Sequence, residues 1–247
     1  MVASLNQVQL PIQQVYLIFI FVPLTVLSAR YLLSKFQLIL FTAFNIVWVW
    51  SAVNPLFPHA WLLENYLIFF FVPIILLVGL YFKLSNLSYV FLTAFMILHV
   101  VGSHYTYAEV PFGFKLQNFL GADRNMYDRL VHFSFGLLLA YPLREMFMVI
   151  GRARGFWNYY LPVELTLAFS AIYEIIEWLA AAAVDPEAGL AFLGAQGDIW
   201  DAQKDMLLAT SGAIITMLIT SVYCLVKNPG SWGEIKKSLR PYKQIGE

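Results

Sequence analysis

Charge is scarce in this sequence. Only 12% of its 247 residues are charged, whereas 60% are hydrophobic and 17% aromatic, and the mean hydropathy is +0.70. Soluble domains carry about 45–50% apolar and about 25% charged residues. In water, 15 basic and 15 acidic side chains could not cover a chain this apolar. A soluble enzyme, a nucleic-acid binder and a disordered chain are therefore excluded. Cysteine is nearly absent too: Cys224 alone allows neither an intramolecular disulfide nor a thiolate metal cage. The first 14 residues, MVASLNQVQLPIQQ, hold no Lys or Arg. They lack the basic segment of a cleavable signal peptide, so the first apolar run is expected to be a retained span. Internal repeats and low-complexity tracts are missing as well.

What is present is a series of long apolar runs. A transmembrane helix needs about 20 mostly apolar residues. Such helices are expected near 15–33, 36–53, 61–82, 87–104, 127–149, 162–183 and 205–226. The fold class is all-α, a polytopic membrane bundle of about seven helices in a single transmembrane domain, 1–247. Residues 1–14 would precede the bundle, and 227–247 would form a basic tail. Pro23, Pro73 and Pro162 fall in or at the start of spans, which neighbouring helices make tolerable in lipid.

Lys and Arg set the orientation. Arg30, Lys35, Lys83, Arg144, Arg152, Arg154 and the tail residues Lys227, Lys236, Lys237, Arg240 and Lys243 share one side. Only Lys115, Arg124, Arg129 and Lys204 lie on the other. With seven spans, this places the N-terminus outside and the C-terminus in the cytoplasm. Acidic residues barely influence topology, yet 11 of the 15 fall on the outer side and only Glu145, Glu164, Glu234 and Glu247 inside. The neutral total is thus a basic inner half and an acidic outer half. Membrane insertion does not require that acidic excess, and a functional site would account for it.

Four patches carry the polar residues. An ionisable group inside a span is expensive and by default marks a site. In HVVGSH, His99 and His104 lie about 140° apart around a helix. They can share a site only if the helix breaks between them, with Gly102 as the candidate break. In RNMYDRLVHF, Asp128 and His132 are four residues apart and share a helix face. The simpler reading of that pair is a helix-start carboxylate hydrogen-bonded to a histidine. In SAIYEIIEWLA, Glu174 and Glu177 sit three apart within an apolar run. Two such carboxylates must share a proton, bind a metal or pair with a cation, for which Arg124, Arg129 and Lys204 are available. In AQGDIWDAQKDM, Asp198, Asp201 and Asp205 form one stripe if the stretch is helical, with Gln196 and Gly197 as the preceding turn. The alternative is a solvated acidic helix start.

The seven-span topology brings all four patches to the outer leaflet. Histidine with several carboxylates and no nearby cysteine suits a divalent metal ion such as Zn, Mn, Fe, Mg or Ca. The candidate ligands are His99, His104, His132, Glu177, Asp198 and Asp205. Asp128, His132, Glu174, Glu177, Asp201 and Asp205 are the candidate acid–base residues. Arg124, Arg129 and Lys204, with Lys115, are candidates for meeting a phosphate. Trp157, Trp178, Tyr105 and Tyr107 read as interfacial belt residues.

From about residue 45 to 225 the sequence resembles the YjdF-like family of bacterial inner-membrane proteins. The resemblance rests on WLLEN around Glu64, HVVGSHYTY, YDRLVHFSFGLLLAYPLRE, SAIYEIIEW and LGAQGDIWDAQKDM. It is also similar, more distantly, to the VanZ-like group. That pattern implies Asp128 and His132, then Glu174 or Glu177, then Asp198, Asp201 and Asp205. His99 and His104 belong to the closer family alone. The resemblance implies a membrane location and grouped polar residues, and brings no reaction with it.

Three functions are compatible with this pattern. One is a metal- or carboxylate-dependent hydrolase or transferase acting on a lipid or lipid-linked substrate. The second is a proton- or cation-coupled carrier, and the third a non-catalytic scaffold. In the bilayer, the small-residue spacings Gly136–Ala140 and Ala209–Ala213 read as helix packing within one chain rather than as a dimer seam.

Overall fold

The computed structural model describes residues 12–183 and 195–240, apart from the side chains of 12–20 and 22. The N-terminal segment before residue 12, the outer acids Asp185 and Glu187, and the tail beyond 240 lie outside the described residues. Every element among them is an α-helix. The helices are α1 (Ile12–Leu32), α2 (Lys35–Ser51), α3 (Pro58–Tyr81), α4 (Asn86–Tyr105), α5 (Pro111–Leu120), α6 (Tyr127–Val149), α7 (Trp157–Ala183), α8 (Asp201–Lys227) and α9 (Ser231–Ser238). A helix occupies each expected span. Among the described residues four of these helices, α3, α4, α7 and α8, are long and apolar enough to cross a membrane; α2 is a shorter apolar helix of 17 residues.

Two helices were not expected. α5 and α9 have ten and eight residues, too short to register as spans. α7 begins at Trp157 rather than at Pro162, so the proline lies inside its second turn, and Thr166 Oγ1 bonds the Pro162 carbonyl at 2.8 Å. α8 begins at Asp201. Asp198 therefore precedes the helix, and the expected three-aspartate stripe reduces to Asp201 and Asp205, one turn apart.

The chain divides into two compact units. The first comprises Met1–Asn86, Met96–Asp128 and Ile176–Asp198. Within it α1 packs on α2 and α3. Ser34 and Gln37 start α2 with a reciprocal capping box, which satisfies two otherwise orphaned backbone N–H groups. The α2–α3 core is built around the fully buried Asn65. Its Oδ1 accepts from Trp48 Nε1 at 2.5 Å, and its Nδ2 donates to the Trp61 carbonyl at 2.6 Å. Trp61 Nε1 donates in turn to Ser51 Oγ at 3.2 Å. Each buried polar atom in this web has a partner, which burial demands.

The second unit comprises Leu87–Phe95, Arg129–Ile175 and Ile199–Glu247. Its centre is a backbone-to-backbone contact of α6 with α8. A Cβ on Gly136 would lie 1.7 Å from the Ala209 carbonyl oxygen, and one on Gly212 would lie 2.3 Å from the Phe133 oxygen. Ala140, Ala213 and Met217 complete this core. The two small-residue spacings therefore pack on one another within a single chain.

The tail helix α9 is clipped to the start of α7. Ser238 Oγ accepts from the Phe156 N–H at 2.9 Å, and the Ser238 carbonyl accepts from Trp157 Nε1 at 3.3 Å. Gly155 makes the approach possible. It sits at φ +60°, and a Cβ there would meet Ser238 Oγ at 2.3 Å and the Glu234 carbonyl at 2.6 Å. Gly155→Ala adds this clash to the roughly 1–2 kcal/mol of left-handed strain on a non-glycine residue. Trypsin should then cut at Lys236 and Lys237 about tenfold faster, each 1.4 kcal/mol of opening being a factor of ten. The unfolding midpoint of the bundle should not move. Unchanged cleavage would show that the clip does not hold the tail.

Candidate functional site

Both units carry a cluster of polar residues. In the first unit the cluster is built on His99, near the end of α4. His99 Nε2 lies 3.1 Å from the backbone oxygen of Glu64. A carbonyl can only accept, so that nitrogen carries the proton and Nδ1 accepts. The donor to Nδ1 is the Tyr107 hydroxyl, at 2.5 Å. Burial raises the Tyr107 phenol well above its ordinary value, reinforced by the Glu64 and Asp128 carboxylates and, more weakly, by Tyr127 and Glu177. Tyr107 therefore keeps its proton as a donor.

Tyr107 reaches His99 because the chain folds back sharply after α4. Thr106 and Tyr107 have φ of 56° and 53°, two successive left-handed non-glycine residues. Such strain persists only where the surroundings over-determine it, and it concentrates at functional sites. The Tyr107 ring then covers Gly102, where a Cβ would come within 2.7 Å of it. Gly102 is thus a clearance rather than a helix break. α4 runs through to Tyr105, so His99 and His104 keep their separate directions. His104 Nδ1 faces the Ser51 carbonyl at 2.9 Å, its ring stacks on Trp50 at 4.6 Å, and its own carbonyl accepts from the Leu56 N–H. The sequence reading of Tyr107 as a belt residue is corrected: it is buried against His99.

The remaining residues of the first unit tie down the start of α6. Arg124 bonds Asp128 Oδ2 at 3.2 Å and the Ala195 carbonyl at 3.3 Å. Asn125 and Gln196 exchange two hydrogen bonds, at 2.9 and 3.3 Å. Gln196 and Gly197, with φ of 49° and 85°, form the turn expected before α8. Asp198 closes it through its N–H to the Ala195 carbonyl, at 2.9 Å.

In the second unit Arg129 is the organising residue. It is buried, and its guanidinium spans Asp201 and Asp205: Nη2 to Asp201 Oδ1 at 2.6 Å, and Nη1 to Asp205 Oδ2 at 2.5 Å. Nη1 also donates to the Asp201 carbonyl at 3.0 Å. Of the three cations expected to neutralise Glu174 or Glu177, Arg129 is thus committed to the α8 aspartates. Glu174 instead faces His132, with Oε1 at 3.8 Å from Nδ1. His132 and the 2%-exposed Asp205 offer ligand atoms within 4.8 Å of each other. Asp128 lies one turn before His132 on α6. Lys204 stands exposed in the first turn of α8.

One guanidinium and one imidazole thus face three carboxylates in this unit. A histidine nitrogen with aspartate and glutamate oxygens is a donor set that divalent ions accept. The residues present therefore fit a metal, with one reservation built into the geometry: Arg129 competes for Asp205.

Long apolar helices with ionisable groups gathered along them define a multi-pass membrane protein. The chain belongs to the family described as "Predicted membrane protein (DUF2238)", which matches residues 36–225. It is 37% identical over 175 residues, 70% of this chain and 83% of the relative, to "Inner membrane protein YjdF" of Escherichia coli strain K12. No solved structure matches the chain. The YjdF-like resemblance and the expected inner-membrane localisation agree with both findings.

Proposed function

We propose that this protein is a seven-span inner-membrane enzyme, N-terminus outside, whose His132, Glu174 and Asp205 act on a lipid or lipid-linked substrate at the outer leaflet. Support for the topology comes from a helix at each of the seven expected positions and from the one-sided distribution of Lys and Arg. The observation that carries the chemistry is His132 within 3.8 Å of Glu174 and within 4.8 Å of Asp205 on otherwise apolar helices. Glu174 can orient the imidazole and stabilise its protonated form, so that His132 moves a proton to or from a reacting oxygen. Where a divalent ion is bound instead, His132 Nε2 and Asp205 would be its ligands, the nitrogen then serving the metal rather than the proton transfer, and the ion would polarise a phosphoryl or carbonyl oxygen. Lys204, exposed in the first turn of α8, would meet the phosphate; Arg124 and Arg129 hold carboxylates in place. The order of these residues supports kinship with the VanZ-like group.

The backbone contact of α6 with α8 next to His132 weighs against a carrier, since no polar passage fits between Gly136 and Ala209. Arg129 bridging two aspartates favours a structural role for Arg129 and Asp201.

Elemental analysis of the purified protein tests the metal. The wild type should hold about one divalent ion per chain, the stoichiometry of a single His/carboxylate site. His132→Ala and Glu174→Gln should lose it while keeping their helical circular dichroism. A metal-free wild type whose thermal midpoint ignores chelator would overturn the metal reading. If lipid-phosphate hydrolysis also survives His132→Ala, the acid–base reading fails with it.

A further inference from the structure

We infer that α5 is an in-plane membrane anchor, seated at the headgroup–acyl boundary of the phospholipid leaflet beside the end of α4. It rests on the membrane location alone and is independent of the enzymatic reading. Ten residues make a helix about 15 Å long, half the hydrocarbon thickness, so α5 cannot span. It nevertheless exposes Phe112 by 54%, Phe119 by 84% and Leu120 by 55%. At about 100° per residue these three and Leu116 share one arc of roughly 100°. Gly113 and Gln117 fall on the adjoining arc, which faces the protein. There a Cβ on Gly113 would overlap Asn125 Oδ1 and come within 2.8 Å of Tyr127 Cβ. Asn125 Nδ2 bonds the Val110 carbonyl at 3.0 Å, fixing the start of the helix, and Gly121 at φ +63° ends it.

Lys115 and Asn118 border the apolar arc on the opposite side. The order around the helix is therefore protein contact, apolar face, the Lys115 cation with Asn118, and then Phe114, a ring 41% exposed. An amphipathic helix with aromatic residues on one face and lysine at its edge matches a phospholipid interface: the rings enter the acyl boundary and the ammonium meets the lipid phosphate. Charge complementarity at Lys115 selects lipid over a second apolar protein surface.

Nitroxide labels at Phe112→Cys, Phe119→Cys and Asn118→Cys, each in a Cys224→Ser background, test this in phosphatidylethanolamine–phosphatidylglycerol vesicles. Oxygen and nickel-chelate accessibilities should place the Phe112 and Phe119 labels about 5–10 Å below the phosphates, with the Asn118 label open to the chelate. Lys115→Glu should move the Phe119 label outward. Equal chelate access at all three positions would overturn the inference in favour of a water-exposed helix. Exclusion of both probes from all three would overturn it in favour of a protein-covered one.

Discussion

Arg129→Met should destabilise the folded protein by about 3–5 kcal/mol, the range observed when one partner of a buried ion pair is removed. The guanidinium occupies the space between Asp201 and Asp205, whose carboxylates lie one turn apart on α8. Without it, both carboxylates lose their guanidinium and gain a Met side chain that offers no donor. Burial makes the loss large, since Arg129 is 6% and Asp205 2% exposed, so water cannot take over. Arg129→Lys retains the charge but not the two-pronged geometry and should fall between. The companion that identifies the cause is Arg129→Met combined with Asp201→Asn and Asp205→Asn. It removes the stranded charges and should recover a substantial part of the stability, because a buried ion cluster contributes little net energy over a neutral one. Unfolding midpoints in mixed micelles read all three variants. A single variant within about 1 kcal/mol of wild type, the worth of a surface pair, would sink the argument. A triple variant no better than the single one would sink it too.

That the cluster needs a cation was legible in the sequence; which cation serves which acid was not. Spacings of three or four residues show that Glu174 lies on a face with Glu177, or Asp201 with Asp205, but not how that face is rotated toward its neighbours. Hence the three candidate cations for the α7 glutamates, of which the structure gives Arg129 to α8 instead. The spans were legible because length and apolarity are local properties, and the helix positions follow them closely. α7 starts earlier than expected because a proline usually opens a helix, whereas Pro162 sits inside this one.

Tyr107 was hidden for a different reason. Its approach to His99 depends on two consecutive left-handed residues, and neither Thr106 nor Tyr107 signals that conformation. The nearest signal was Gly102, whose missing side chain leaves room for the ring; it could equally mark a helix end. α5 was hidden because a helix of ten residues is about half the length of a span.

Enlarging Gly136 should damage both stability and the site. His132, Gly136 and Ala140 succeed one another at four-residue steps on α6; Asp205, Ala209 and Ala213 do so on α8. The rows that bring His132 and Asp205 near each other are therefore the rows in backbone contact below them. A Cβ on Gly136 meets the Ala209 carbonyl oxygen at 1.7 Å and the Ala213 nitrogen at 2.7 Å, and backbone atoms cannot rotate away as a side-chain end can. The helices must separate, which also pulls Thr216 Oγ1 from the Leu137 carbonyl it bonds at 2.5 Å. Overpacking alone costs about 1–3 kcal/mol, and the lost bond about 1 kcal/mol more. Gly136→Leu and Gly212→Leu should each lower the unfolding midpoint accordingly and release any metal held by His132. Ile219→Ala, at a position 64% exposed on α8, should leave both unchanged. If the glycine variants kept their midpoint and instead changed the mass of the detergent-solubilised particle, these rows would be a seam between chains. The expected result is the reverse: an unchanged mass and a weaker fold, because the small residues hold α6 on α8 within one chain.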